Sequence, residues 1–365
     1  MSQKTPVEAL IRPDLVRFGG YAAAKSPDAL VGVTASKIIK LDANENPYGC
    51  SPRVNKALAS YPDLSVYPDA TQTELRKLLA DYTGVAPEHI VASAGSDRLI
   101  DDLFRLFLSP GDEVLYGVPT FAMFRFFTDL CGGVAVELPK DGSFYLSPGD
   151  IKKAITPKTK LILVATPDNP TGAVVPREDI FELLETGRPV LVDEAYYEFT
   201  GETVAPLVGK YPNLMVTRTF SKWAGLAGLR IGYGLFPGKI AAYLMNIKEP
   251  YCVNAAAQVA VRESLADREY LMGRVSAILK ERARLFCELE ALGWLKPYPS
   301  RANFILCAVL KGKAREVQKE LERRGILVRH FDTPRLKDSL RISVGKPEDT
   351  DALIKALEEI GGGNV

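Results

Sequence analysis

Seven short apolar runs recur between residues 89 and 236: HIVASA, DEVLYG, VAVEL, KLILVAT, PVLVDEA, LMVTRTF and RIGYGLF. Runs of this length, rich in β-branched residues and without strict alternation, predict strands buried on both faces. Segments with helical spacing lie between them. TQTELRKLLADYTG and SDRLIDDLFRLFLSPG predict helices that open on Ser or Thr caps and close on Gly or Pro-Gly. This alternation predicts an α/β unit with a mostly parallel sheet. From about residue 260 the pattern changes to long charged helices over QVAVRESLADREYLMGRVSAILKERARLFCELEALG. A strand NFILCAV, a helix KAREVQKELERRG and two short strands, ILVRH and LRISVG, follow. That is an α+β unit.

A chain of 365 residues exceeds the usual size of a single core. The expected division is a large unit over 41–270 and a smaller one formed by both chain ends, 1–40 with 271–365. With 47% hydrophobic and 25% charged residues the composition is that of an ordinary globular protein. Lys and Arg (46) nearly balance Asp and Glu (45), so a net charge of +1 gives no electrostatic case for nucleic acid or an anionic membrane. Small-molecule partners are favoured. The five cysteines, at 50, 131, 252, 287 and 307, form no CxxC pair, which argues for reduced thiols and against a zinc site. MSQKTPVEALIRPD lacks the order of a secretory leader, and no apolar run approaches the roughly 20 residues that span a bilayer. A cytoplasmic location is expected.

Only two histidines exist, His89 and His330, and His89 in APEHIVASAG reads as a turn residue before a strand. Acid–base chemistry would therefore fall to lysine, tyrosine or a carboxylate. PVLVDEAYYEF resembles one half of a P-loop site, but its GxxxxGK[ST] partner is missing; GLFPGKI has the wrong spacing. GYGLFPG fails equally as a dinucleotide turn.

Other positions combine better. SAGSDRLIDDLF places a Gly-Ser-Asp turn, Gly95, Ser96 and Asp97, between a strand and a helix, where free N–H groups and the helix dipole suit an anion. ATPDNPTG puts an amide, Asn169, in a turn after a strand. VLVDEAYYEF leaves Asp193 at a strand end with Tyr196 three residues on, and TRTFSKWAGLAGLRIGYG carries Ser221, Lys222 and Arg230. Pyridoxal phosphate makes each of these demands separately: a lysine for the imine, a carboxylate for the ring nitrogen, donors at the ring oxygen and a phosphate cradle. Lys222 would bind the aldehyde, and Arg230 with Ser221 would hold the phosphate.

These motifs resemble the fold-type I pyridoxal-phosphate enzymes, and specifically the histidinol-phosphate aminotransferase family. The resemblance covers nearly the whole chain: LDANENPYG at 41–49, YPD at 67–69, GSD at 95–97, PDNPTG at 167–172, DEAYYEF at 193–199, SKWAGLAGLRIGYG at 221–234, PYCVN at 250–254 and LRISVG at 340–345. It implies a large, mixed, mostly parallel sheet domain with a smaller α+β domain. It further implies that Asp193 pairs with the pyridinium nitrogen, and that Tyr196 and Asn169 hydrogen-bond the ring oxygen. The backbone at Ser96 and Asp97, with Thr219, Ser221 and Arg230, would bind the phosphate. Tyr67 would reach that phosphate from a neighbouring subunit, which implies a homodimer with shared sites. Arg341, with Arg329 as second cation and Tyr21 from across the dimer, would grip the substrate phosphate. Glu45 and Asn46 are candidates for reading the imidazole by position. The chain departs from the family pattern at Phe121, where a ring-stacking tyrosine is usual, at Arg98, where glutamate is frequent, and at Asp168, where the turn is often Asn-Asn.

The implied reaction exchanges an amino group between histidinol phosphate and 2-oxoglutarate. An aromatic amino-acid aminotransferase of the same fold, a threonine-phosphate decarboxylase and a non-catalytic regulator retaining the cofactor stand as alternatives.

Overall fold

A computed structural model describes residues 6–16, 18–20 and 38–362. Twelve strands are present among them: β1 (Ile39–Leu41), β2 (Ile90–Ser93), β3 (Glu113–Val118), β4 (Val134–Pro139), β5 (Thr159–Ala165), β6 (Val190–Asp193), β7 (Leu214–Thr219), β8 (Gly232–Leu235), β9 (Leu295–Pro297), β10 (Phe304–Val309), β11 (Ile326–His330) and β12 (Ser339–Ser343). All seven runs read from the apolar pattern are strands of one sheet, ordered β2-β8-β7-β6-β5-β3-β4. Neighbours are parallel except that β8 runs antiparallel to both β2 and β7. Every residue of β2, β6, β7 and β8 is buried, as strands covered on both faces require. At the edge, β4 instead mixes exposed and half-buried positions.

The second sheet has order β1-β11-β12-β10-β9 and is antiparallel but for the β1·β11 pair. Its first strand comes from the start of the described chain and the other four from beyond residue 294. The β1·β11 register, Ile39↔Ile326 to Leu41↔Val328, carries the following segment, Asp42–Asn46, from this sheet to the edge of the large one.

Helix ends depart from expectation at two places. The helix Thr73–Thr83 is preceded by Gln72 in the left-handed region (φ 59), and the Asp69 carboxylate, not a hydroxyl, accepts from the Thr73 N–H at 2.8 Å. The helix Ser96–Phe107 has Gly95 as its N-cap, with Ser96 already its first residue and no side-chain cap. This leaves the first N–H groups of that helix unsatisfied by the chain's own side chains. The long charged stretch divides into two helices, Ala255–Ala266 and Arg268–Ala291, at Asp267. Its carboxylate there accepts from Ser51 Oγ.

Candidate active site

The carboxyl ends of β2, β5, β6 and β7 open into one cavity of about 350 Å³. Open α/β sheets bind ligands at this edge, because the loops leaving the strands are free to diverge there. Of the residues singled out in the sequence, Ser96, Asp97, Phe121, Asn169, Asp193, Tyr196, Thr219, Ser221, Lys222, Arg230, Arg329 and Arg341 line it together. Gly95 lies just behind: a Cβ there would stand 2.7 Å from Arg230 Nη2, and φ is +93°. Tyr67 is not among the lining residues. It is 77% exposed and stacks on Tyr251 at 4.6 Å. Tyr21 lies outside the described residues.

Lys222 follows β7 in a buried loop whose Gly225 adopts φ +68 and packs on the Gly49 carbonyl, where a Cβ would come within 2.4 Å. Its Nζ donates to Ala43 O at 3.1 Å. Burial first, and the nearby Arg341 guanidinium second, pull the ammonium down from 10.5 to about 8. Asp193 ends β6. It is 6% exposed and accepts from Thr217 Oγ1 at 3.1 Å, its register partner on β7. Among the described residues no cationic side chain forms an ion pair with it. Burial, then the Asp97 charge, raise its carboxyl from 3.8 to about 7. A buried carboxylate in this condition calls for a cation from outside the chain.

Around the start of the helix Ser96–Phe107, Thr219 Oγ1 donates to Ser221 Oγ at 3.0 Å and Arg230 Nη2 donates to Asp97 Oδ2 at 3.3 Å. Arg230 itself sits in the left-handed region at φ 50. Gly232 packs its α-carbon against this turn so closely that a Cβ would be 2.2 Å from Ser96 N. Phe121 meets Phe124 edge-on at 5.8 Å.

The far wall belongs to the second sheet. Arg329 and Arg341 are direct partners in the β11·β12 register. Both line the cavity, so two like charges stand on one face of this sheet. Arg341 donates Nη1 to Asn169 Oδ1 at 2.6 Å and Nη2 to Asp42 O at 2.5 Å. The Asn169 amide oxygen is thus engaged, and its amide nitrogen carries two N–H donors.

One residue escaped the sequence reading. Asn44, in the left-handed region at φ 54, donates Nδ2 to the Tyr196 hydroxyl at 2.9 Å. It is itself held by Ser343 and Asn303 (2.8 and 3.0 Å). The signal lay in the LDANENPYG motif, where an asparagine tolerates that backbone better than most residues. Of the two imidazole candidates, Glu45 lines the cavity and pairs with Lys40 at 2.8 Å. Asn46 does not: its Nδ2 fastens the lysine loop by donating to Trp223 O at 2.8 Å. Arg98 turns away to Asp101, Asp102 and Glu249. His89 is a turn residue whose Nδ1 meets Phe236 O at 2.7 Å.

The family described as aminotransferase class I and II matches residues 36–357, a span that holds every residue of this cavity. A histidinol-phosphate aminotransferase of Dehalococcoides mccartyi is 58% identical over 96% of this chain and 98% of its own length. One from Roseiflexus castenholzii is 43% identical over 97% of this chain and 99% of its own. The crystal structure of the histidinol-phosphate aminotransferase from Sinorhizobium meliloti in complex with pyridoxal-5'-phosphate superposes with a TM-score of 0.84 at 28% identity, covering 89% of this chain and 92% of that one. The chain belongs to the class I and II aminotransferases, in their histidinol-phosphate aminotransferase branch.

Proposed function

We propose that this protein is a pyridoxal-phosphate-dependent aminotransferase that interconverts L-histidinol phosphate and 2-oxoglutarate with imidazole acetol phosphate and L-glutamate, in histidine biosynthesis. The observation that carries this reading is that Lys222 and the opposed pair Arg329 and Arg341 line the same cavity. The lysine supplies the reacting amine; two guanidiniums on adjacent strands suit a dianion, each charge-assisted contact contributing about 1.5–3 kcal/mol.

The residues present fit the cofactor. Asp193 is a buried carboxylate awaiting a cation, Lys222 is an amine brought down to about 8, and the glycine-lined helix start leaves N–H groups for a phosphate. Asp193 would hold the pyridinium nitrogen, Tyr196 and Asn169 the ring oxygen, and Phe121 a ring face. Ser96, Asp97, Thr219, Ser221 and Arg230 would hold the phosphate.

When bound, pyridoxal phosphate supplies a ring that takes up the electron pair released at the donor Cα. The chain's own part is proton handling and orientation. Lys222 Nζ, as the free amine, would accept the Cα proton and hold it for return to the bound group. Burial, then Arg341, bring that amine from 10.5 down to about 8 in the cofactor-free chain, so more of it is unprotonated near neutral pH than of an ordinary lysine. Asp193 keeps its partner's proton in place. Asn44 fixes the Tyr196 hydroxyl, and Arg341 fixes the Asn169 amide, so both ring-oxygen groups are oriented before substrate arrives. In the return half of the cycle, Arg341 would bind the 2-oxo acid carboxylate.

The same reading makes the protein a cytoplasmic homodimer with shared sites. The exposed side chains of Leu64, Val66, Tyr67 and Tyr251 support a contact surface there, with Tyr67 serving the partner's phosphate cradle. The large and small units are taken as 41–270 and the two chain ends. Among the described residues no helix is long and apolar enough to cross a membrane.

The test is a single half-reaction followed by the visible cofactor band. The band should bleach at far lower histidinol phosphate than phenylalanine or phosphothreonine. A reversed order would assign the protein to another substrate.

A further inference from the structure

We propose that the buried pair Lys140 and Asp168 is a positioning element for the two groups assigned to the cofactor ring, Phe121 and Asn169; the inference rests on the site reading above. Neither residue lines the cavity. Asp168 is 1% exposed, and its carboxylate accepts from Thr120 Oγ1 at 2.6 Å, Lys140 Nζ at 2.5 Å and Thr171 Oγ1 at 3.3 Å. Thr120 is the residue before Phe121, and Asp168 the one before Asn169. A single carboxylate therefore joins the segment leaving β3 to the segment leaving β5, immediately behind both ring-facing side chains.

Lys140 completes the clamp. It follows edge strand β4, and its ammonium also donates to Pro119 O at 3.1 Å, so it binds the same two segments. Its stem reaches them across Gly117, where a Cβ would stand 2.9 Å from Lys140 Cε. The missing side chain is the channel the lysine uses. Isolated, either charge would be too costly to bury; together, with three further polar partners, they are satisfied. Burial raises the Asp168 carboxyl, and Lys140 opposes that. A second tie comes from the other sheet: Arg335, between β11 and β12, donates Nη1 to Val118 O at 2.9 Å and Nη2 to Lys140 O at 2.6 Å. The segment carrying Phe121 is thus fastened on one side to the Asn169 turn and on the other to the unit that carries Arg329 and Arg341.

Two variants separate positioning from simple stability. Thr120→Val cuts one of the two ties to the Phe121 segment at nearly constant volume and leaves the ion pair and its bond to Pro119 O intact. Lys140→Met/Asp168→Ala removes the clamp without stranding a buried charge. Thr120→Val should bind pyridoxal phosphate about 2- to 10-fold more weakly and Lys140→Met/Asp168→Ala more weakly still, both with a shifted visible band, the loss that one buried hydrogen bond carries. The melting temperature of the cofactor-free protein should stay within about 3 °C of wild type. Lys140→Met/Asp168→Asn, which keeps an acceptor for Thr120 but loses the Lys140 tie, should bind more tightly than Lys140→Met/Asp168→Ala and more weakly than wild type, as the one preserved hydrogen bond predicts. Wild-type affinity and band in Thr120→Val would overturn the proposal, as would a loss of affinity that only tracks a fall in melting temperature. A wild-type protein that binds no pyridoxal phosphate would overturn the site reading and this inference with it.

Discussion

Asp193→Asn should act in opposite directions on the cofactor-free and the loaded protein. The substitution keeps the shape and an acceptor for Thr217 while removing a charge. In the cofactor-free chain that charge is a burden: burial, then Asp97, lift the carboxyl from 3.8 to about 7. The folded chain thus holds this proton more tightly than the unfolded one. The penalty is absent below the ordinary value, grows between about pH 4 and 7, and is complete above that. Its full size is about 4 kcal/mol at roughly 1.4 kcal/mol per pH unit. Denaturant unfolding of the cofactor-free proteins should find Asp193→Asn the more stable at pH 8, by up to about 4 kcal/mol, with the gap narrowing towards pH 5. With the ring bound the sign reverses. Removing one partner of a buried ion pair costs about 3–5 kcal/mol, or about 10²- to 10⁴-fold in kcat/KM. A variant less stable than wild type at pH 8 without cofactor, or one with full transaminase activity, would refute the assignment of Asp193 as an acid waiting for a cation.

Further expectations follow from the phosphate cradle and the far wall. Gly232→Ala places a Cβ 2.2 Å from Ser96 N, so the backbone must part at the start of that helix. Equilibrium dialysis should find pyridoxal phosphate largely lost, while the fold survives with a cost of about 1–3 kcal/mol. Arg329→Ala should raise KM for histidinol phosphate about 10- to 150-fold, the equivalent of one charge-assisted contact, with a smaller effect on glutamate. Arg341→Ala should impair both substrates, because it also releases Asn169. Steady-state kinetics with each donor separates the two arginines, and equal effects on both donors would contradict the division of labour.

The strands of the large sheet were legible because burial on both faces leaves continuous apolar runs, and β6 and β7 end where the chemistry begins. The polar site residues were legible only as a constellation, since each alone is an ordinary cap, turn or surface charge. What one dimension hides is pairing across distance. Arg329 and Arg341 become neighbours through the β11·β12 register, and Lys140 meets Asp168 across a separation of 28 residues. Neither contact has a local pattern. Asn44 was hidden for a different reason: the groups that hold its backbone, Ser343 and Asn303, come from the far end of the chain. Helix caps misled where the backbone supplied the turn, as at Gln72 and Gly95, and a preceding carboxylate or no side chain at all took the hydroxyl's place.

The account rests on the amine of Lys222, and borohydride reduction of the protein loaded with pyridoxal phosphate tests it directly. Peptide mapping should find the pyridoxyl group on the peptide containing Lys222, with labelling abolished in Lys222→Ala. A label on another lysine, or none, would contradict it.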